Sequence, residues 1–126
     1  MKLLAVIALG GALGALGRHF VSAGMVAWLG HGFPWGTLVV NILGSFVMGA
    51  LVETMALIWS PTAEMRALLT VGLLGAFTTF STFSLDVVSL YERGEAGIAG
   101  LYIVASFVLS VGALFAGLRI MRLALL

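Results

Sequence analysis

Cysteine is absent from the 126-residue chain, which removes disulfides and thiolate metal sites from consideration. Charge is nearly as scarce. Six Lys or Arg and five Asp or Glu make up 9% of the residues, where a soluble domain carries about 25%. The net charge of +1 gives no reason to invoke nucleic acid. Proline occurs twice and histidine twice. His19 and His31 are far from each other and from any carboxylate, so neither resembles a metal site. No nucleophile–base pair or metal constellation stands out, and an enzyme is not expected. What remains is apolar: 62% of residues are hydrophobic and the mean hydropathy is +1.21. The chain reads as an all-α integral membrane protein in one domain.

Four spans can be drawn, each needing about 20 residues. They run from about residue 3 to 26, 36 to 59, 64 to 91 and 97 to 118. Met1-Lys2 and the apolar run behind it imitate a signal peptide, but the run continues through Gly10, Gly11, Gly14 and Gly17 to Arg18 without a convincing cleavage site. Gly10 and Gly14 suit close helix packing, as do Ser45 and Gly49. Arg18 lies deep enough either to snorkel to an interface or to pair in a vestibule. Trp28 and Trp35 flank the first loop as an interfacial belt. Pro61 stops the second span, and Ser60 or Thr62 can cap the third.

The third span is the unusual one. Five of the seven residues from Thr78 to Ser84 carry hydroxyls. On a continuous helix Phe77, Phe80 and Phe83 form one stripe about 120° wide, and the hydroxyls reach most other directions. That distribution predicts protein or water around the whole helix, which places it at the centre of an assembly. Gly72 and Gly75, just before the hydroxyls, invite a break in mid-helix, tolerated at membrane depth only where freed backbone groups are covered. Asn41, a lone amide in the second span, reads equally as interhelical glue or as a donor facing a polar path. Tyr102, Ser106 and Ser110 recur at i, i+4 and i+8, one face of the fourth span. Glu53 and Asp86 fall toward helix ends. The side holding both termini carries Lys2, Arg66, Arg119 and Arg122; the other has Arg93, with Arg18 nearest to it. The bias favours termini inside.

Gly36-Thr37-Leu38-Val39-Val40-Asn41, together with Thr78-Thr79-Phe80-Ser81-Thr82-Phe83-Ser84 and the Tyr102/Ser106/Ser110 stripe in one four-span chain, resembles the Fluc family of bacterial fluoride channels. The resemblance covers essentially the whole chain. It implies an antiparallel, dual-topology homodimer in the bacterial inner membrane, with the third helix broken in the middle. It also implies passive fluoride export that lowers fluoride toxicity. Carried over position by position, the anion path would comprise Asn41, Phe80, Ser81, Thr82 and Phe83, with Tyr102, Ser106 and Ser110 as a polar track and Arg18 in the vestibule. The backbone carbonyls of Gly75 and Thr78 from both chains would hold a central sodium ion. The family often has a bulky aromatic directly after the first-helix arginine; here that position is His19.

The alternative is a small dual-topology, proton-coupled multidrug or cation exporter, which needs a carboxylate deep in the bundle. The first span has none. A structural membrane subunit would not need the hydroxyls and phenylalanines of the third span. Ring edges carry positive charge, and Asn41 and the hydroxyls are conventional donors. A small anion could thus be bound without a mid-span Lys or Arg, which would hold it too tightly to conduct.

Overall fold

The computed structural model describes Met1–Leu126 as an all-helical protein. Helix α1 spans Lys2–Leu29 and α2 Trp35–Leu57. The third span is assembled from α3 (Ala63–Arg66), a π-helical stretch (Ala67–Leu74), α4 (Gly75–Phe77) and α5 (Ser81–Glu92). Helix α6 spans Ala96–Leu125. Four helical segments, Lys2–Leu29, Trp35–Leu57, Ala63–Glu92 and Ala96–Leu125, are long and apolar enough to cross a membrane. The last runs seven residues beyond the expected end at 118, carrying Arg119 and Arg122 on its final turns.

Local chemistry sets the ends. The Thr62 side chain accepts from the Met65 amide at 3.1 Å and caps α3. At the close of α5, Gly94 adopts φ +80°. There the Gly94 amide donates to Tyr91 and the Glu95 amide to Leu90, at 3.0 and 2.9 Å. This paired capping satisfies two terminal carbonyls and needs a residue without a Cβ at the left-handed position.

Successive spans alternate in direction, so both termini lie at one end with the 58–62 loop. Two seams hold the bundle. At Gly10 of α1 an added methyl would lie 2.5 Å from the Leu68 carbonyl, and Gly14 sits against the Leu73 carbonyl. At the other seam, Gly49 of α2 faces the Leu114 backbone and Gly117 of α6 the Phe46 backbone. Between membrane helices close approach substitutes for a hydrophobic driving force, and small residues permit it. Side-chain packing adds a cluster of Leu38, Phe83, Leu90, Ala99 and Tyr102. Large apolar residues such as Leu13, Leu16, Phe20, Leu101 and Val108 are exposed, as suits a lipid-facing surface.

Polar contacts tie each end. Where the termini lie, Arg122 grips Glu53 through two hydrogen bonds of 3.1 and 3.2 Å. Glu53 is only 6% exposed, and these bonds lock α2 to α6. At the opposite end Arg93 donates to the Gly32 carbonyl and to Glu95, at 3.0 and 3.1 Å.

The third span bends where helical pairing lapses over Thr78–Phe80. Gly72 and Gly75 remain helical; the lapse falls just past them, with Thr78 extended at ψ 156°. The single phenylalanine stripe expected of a continuous helix is therefore split. Phe77, before the bend, lies 3.5 Å from where a methyl on Gly17 would be and also meets Gly44. Phe80 and Phe83, beyond it, pair with ring centroids 5.4 Å apart.

Candidate functional site

The bend exposes backbone groups, and Asn41 meets them. Its side-chain amide donates to the Thr79 carbonyl at 3.0 Å, and its side-chain oxygen accepts from the Thr79 amide at 2.8 Å. One side chain on α2 thus mimics a backbone partner for the residue that the bend leaves bare. The interhelical-glue reading of Asn41 is the one these bonds show. The side chain glues α2 to the third span, and its amide nitrogen keeps a second hydrogen beside the cavity that Asn41 lines.

The hydroxyls of the third span are mostly occupied locally. Thr78 bonds back to the Leu74 carbonyl at 3.0 Å and Ser84 to the Phe80 carbonyl at 3.0 Å. Thr79 accepts from the Thr82 amide at 3.2 Å, a capping contact for α5, and shares a hydrogen bond with Ser81. Thr82 accepts from Arg18 at 3.4 Å. The hydroxyls by themselves therefore do not require protein or water around the whole run. Hydroxyls near a helix bend find partners in their own segment.

The polar groups left open are elsewhere. Ser106 and Ser110 of α6 are buried at their oxygens, and neither has a hydrogen-bond partner. Both line a cavity of about 410 Å³ walled also by Asn41, Ser45, Gly75, Thr78, Thr79, Phe80, Phe83, Phe107 and Val111. No charged side chain is among them. Phe83 is 6% exposed and Phe80 69%, so one ring is fixed in the packing and the other stands at the open face. Phe83 also meets Phe107 edge-on, centroids 6.0 Å apart. Thr78 fits because Gly44 opposite it has no side chain.

Four expected site residues, Tyr102, Ser81, Thr82 and Arg18, are not at this cavity. Tyr102, one turn from Ser106, is fully buried, donates to Asp86 at 3.0 Å and packs on Phe83 with centroids 5.1 Å apart. Its hydroxyl is committed, which separates it from the open serines. Ser81 is exposed. Thr82 lines a second cavity of about 280 Å³, which contains Asp86, Thr37, Ser22, His31 and Arg93. Arg18 reaches the site only through Thr82. Sequence reasoning missed Ser45 and Phe107 as cavity residues and Thr79 as the partner of Asn41. A lone amide opposite a helix break was the available signal for Thr79, since a break frees backbone amides and carbonyls together.

The bend also frees oxygens. In a continuous helix the Thr79 amide would serve the Gly75 carbonyl and the Thr82 amide the Thr78 carbonyl. Here those amides go to Asn41 and to the Thr79 hydroxyl, and Gly75 and Thr78 both line the cavity. Backbone carbonyl oxygens freed in this way suit hard cations. No group of three or more His, Cys, Asp or Glu is arranged to hold a metal. The residues that line the cavity thus carry hydroxyl, amide and ring-edge donors together with backbone acceptors.

A family model described as "CrcB-like protein, Camphor Resistance (CrcB)" matches residues 5–118. A protein of Rhodospirillum centenum named fluoride-specific ion channel FluC is 53% identical over 124 residues, covering 98% of this chain and 98% of the relative. Relatives of the same name from Agrobacterium fabrum and Rhizobium etli are each 51% identical, covering 94% and 93% of this chain and 95% and 94% of the relative.

Proposed function

This chain belongs to the CrcB-like protein family, and from that premise we infer that it is a fluoride channel. It is a multi-pass membrane protein and not an enzyme. The observation that carries the reading to particular residues is the pair of unpartnered serines, Ser106 and Ser110, facing the same cavity as Asn41, Phe80 and Phe83. A fluoride ion that sheds water must be offered other donors. Two hydroxyls, a spare amide hydrogen and the positive edges of two rings supply them. None carries a full charge, so binding stays shallow enough for the ion to leave. No carboxylate lines the cavity: Glu53 is held by Arg122 and Asp86 by Tyr102. That arrangement supports passive conduction over proton-coupled exchange.

The working unit is a homodimer of antiparallel chains in the inner membrane, leading fluoride out of the cytoplasm. One feature supports it: the cavity is open at the exposed Phe80 ring. Four carbonyls, from Gly75 and Thr78 of both copies, would hold a sodium ion on the dimer axis. That ion would neutralise acceptors that no helix bond reaches and brace the two bends against each other. Arg18, tied to Thr82, supplies a positive potential near the path without entering it. Tyr102 takes a positioning role, holding Phe83 from one side while Phe107 meets it from the other.

Purified protein in liposomes loaded with fluoride or with chloride provides the test. Efflux of fluoride, electrically shunted and with no proton gradient, is expected, with little chloride efflux. No fluoride efflux, or efflux only under a proton gradient, would overturn the reading.

A further inference from the structure

Two walls of the cavity meet along a seam that few directional contacts hold in register. Helices α2 and α6 run in the same direction, with Gly49 against the Leu114 backbone and Gly117 against the Phe46 backbone. Packing of this kind sets the distance between two helices more firmly than their position along each other. Only two side chains of α6 hydrogen-bond to another helix: Tyr102 to Asp86 of α5, and Arg122 to Glu53 of α2. They stand 20 residues apart, about 30 Å along the helix. Ser106 and Ser110 hang between them, with no partner of their own. Tyr102 registers these serines against the third span, which carries Phe83. Arg122 registers them against α2, which carries Asn41 and Ser45. On α2, Asn41, Ser45, Gly49 and Glu53 follow at i+4 steps, so clasp, close approach and cavity wall share one row of positions.

The clasp has the geometry of a register pin. Nε and Nη2 of Arg122 reach separate carboxylate oxygens of Glu53, at 3.1 and 3.2 Å, a fork that fixes angle as well as distance. Glu53 is buried and has no other hydrogen-bond partner, so a slip of α6 along α2 strands a carboxylate without its counter-ion. One helical turn of slip, about 5.4 Å, carries Ser110 to where Ser106 stands. We propose that Glu53 and Arg122 are positioning residues for conduction. Their ion pair sets the register of α6 on α2, and through it the spacing of the Ser106 and Ser110 hydroxyls from the Asn41 amide. Neither lines the cavity; both act through the helices that do. The inference rests on the fluoride-channel reading above. Stability alone does not call for such a pair, since apolar residues of similar volume often replace a buried ion pair without loss.

That equivalence separates position from stability. Glu53→Leu with Arg122→Leu should leave the melting temperature and elution volume of the purified protein near native. Fluoride flux in liposomes, per milligram of folded protein, should fall tenfold or more. The reversal potential with fluoride on one side and chloride on the other should move toward zero, a change that loss of folded protein cannot produce. Glu53→Gln serves should the double variant not fold, because it keeps the volume and every Lys and Arg. It sets an amide NH₂ against a guanidinium N–H, and it should lower flux severalfold and move the potential the same way. Arg119→Gln, exposed one turn from the clasp, should change neither. Native flux and native potential in the Glu53 variants overturn the positioning role. Flux that falls only in step with folded protein, at an unchanged potential, overturns it too and leaves a stabilising clasp. No fluoride flux from the unaltered protein would overturn the channel reading, and this inference with it.

Discussion

Replacing Asn41 with Ala separates its two roles. The side chain makes two hydrogen bonds to one residue, at 2.8 and 3.0 Å. Thr79 has no helical partner to fall back on, because the chain is extended at Thr78. Losing two net hydrogen bonds costs about 2 kcal/mol, and leaving two backbone groups fully unpaired raises this to about 6 kcal/mol. Asn41 lines the cavity, so water entering there can serve part of the loss, and about 2–4 kcal/mol is expected. Unfolding in mixed micelles, read beside liposome flux, gives both quantities. Asn41→Ala should lose stability by that amount and lose most fluoride flux. Asn41→Asp keeps an acceptor for the Thr79 amide but sets an oxygen against the Thr79 carbonyl, where the native side chain donates. It should be at least as inactive, with the bend displaced. If Asn41→Ala unfolds like the native protein, the amide does not hold the bend, whatever happens to flux.

Phe80→Ile and Phe83→Ile nearly conserve volume and should each cost under about 1.5 kcal/mol while severely reducing flux, because the positive ring edge is gone. Near-normal flux in both would leave the rings as packing. Phe77→Leu, before the bend and among Gly17 and Gly44, should conduct better than either. Ser106→Ala with Ser110→Ala removes two hydroxyls that lack partners, so stability should hold or rise slightly while flux falls; unchanged flux would exclude them from the path. Prolonged exchange of sodium for a bulky organic cation should lower flux or dissociate the proposed dimer on size-exclusion chromatography, and an unaffected protein would rule out the proposed axial ion.

Much of this was legible in the chain. Apolar runs with few charges mark the four spans, because a bilayer demands both. Gly10, Gly14 and Gly49 were legible as packing residues and Gly117 was not: spacing reveals small residues, but not which backbone they meet. The bend was expected near Gly72 and Gly75, yet it falls at Thr78–Phe80. Those glycines stay helical, and it is Asn41, 38 positions away from Thr79 in sequence, that holds the interruption in place. A helical wheel carried across a bend cannot place residues beyond it, which is why Phe77 seemed to belong with Phe80 and Phe83. Counting hydroxyls pointed to the third span, but local back-bonds satisfy them; the open ones are on α6. The Glu53–Arg122 clasp joins residues 69 apart, a distance at which charge alone gives no pairing.

The most direct measurement is the reversal potential of the purified channel in a planar bilayer under a tenfold fluoride gradient, with chloride and pH equal on both sides. A passive fluoride-selective pore should reverse near the fluoride equilibrium potential, about 59 mV for a singly charged ion. Imposing a pH gradient should leave that value in place. A reversal potential near zero, or one that moves with the proton gradient, would contradict passive fluoride conduction through the Asn41, Phe80, Phe83, Ser106 and Ser110 cavity.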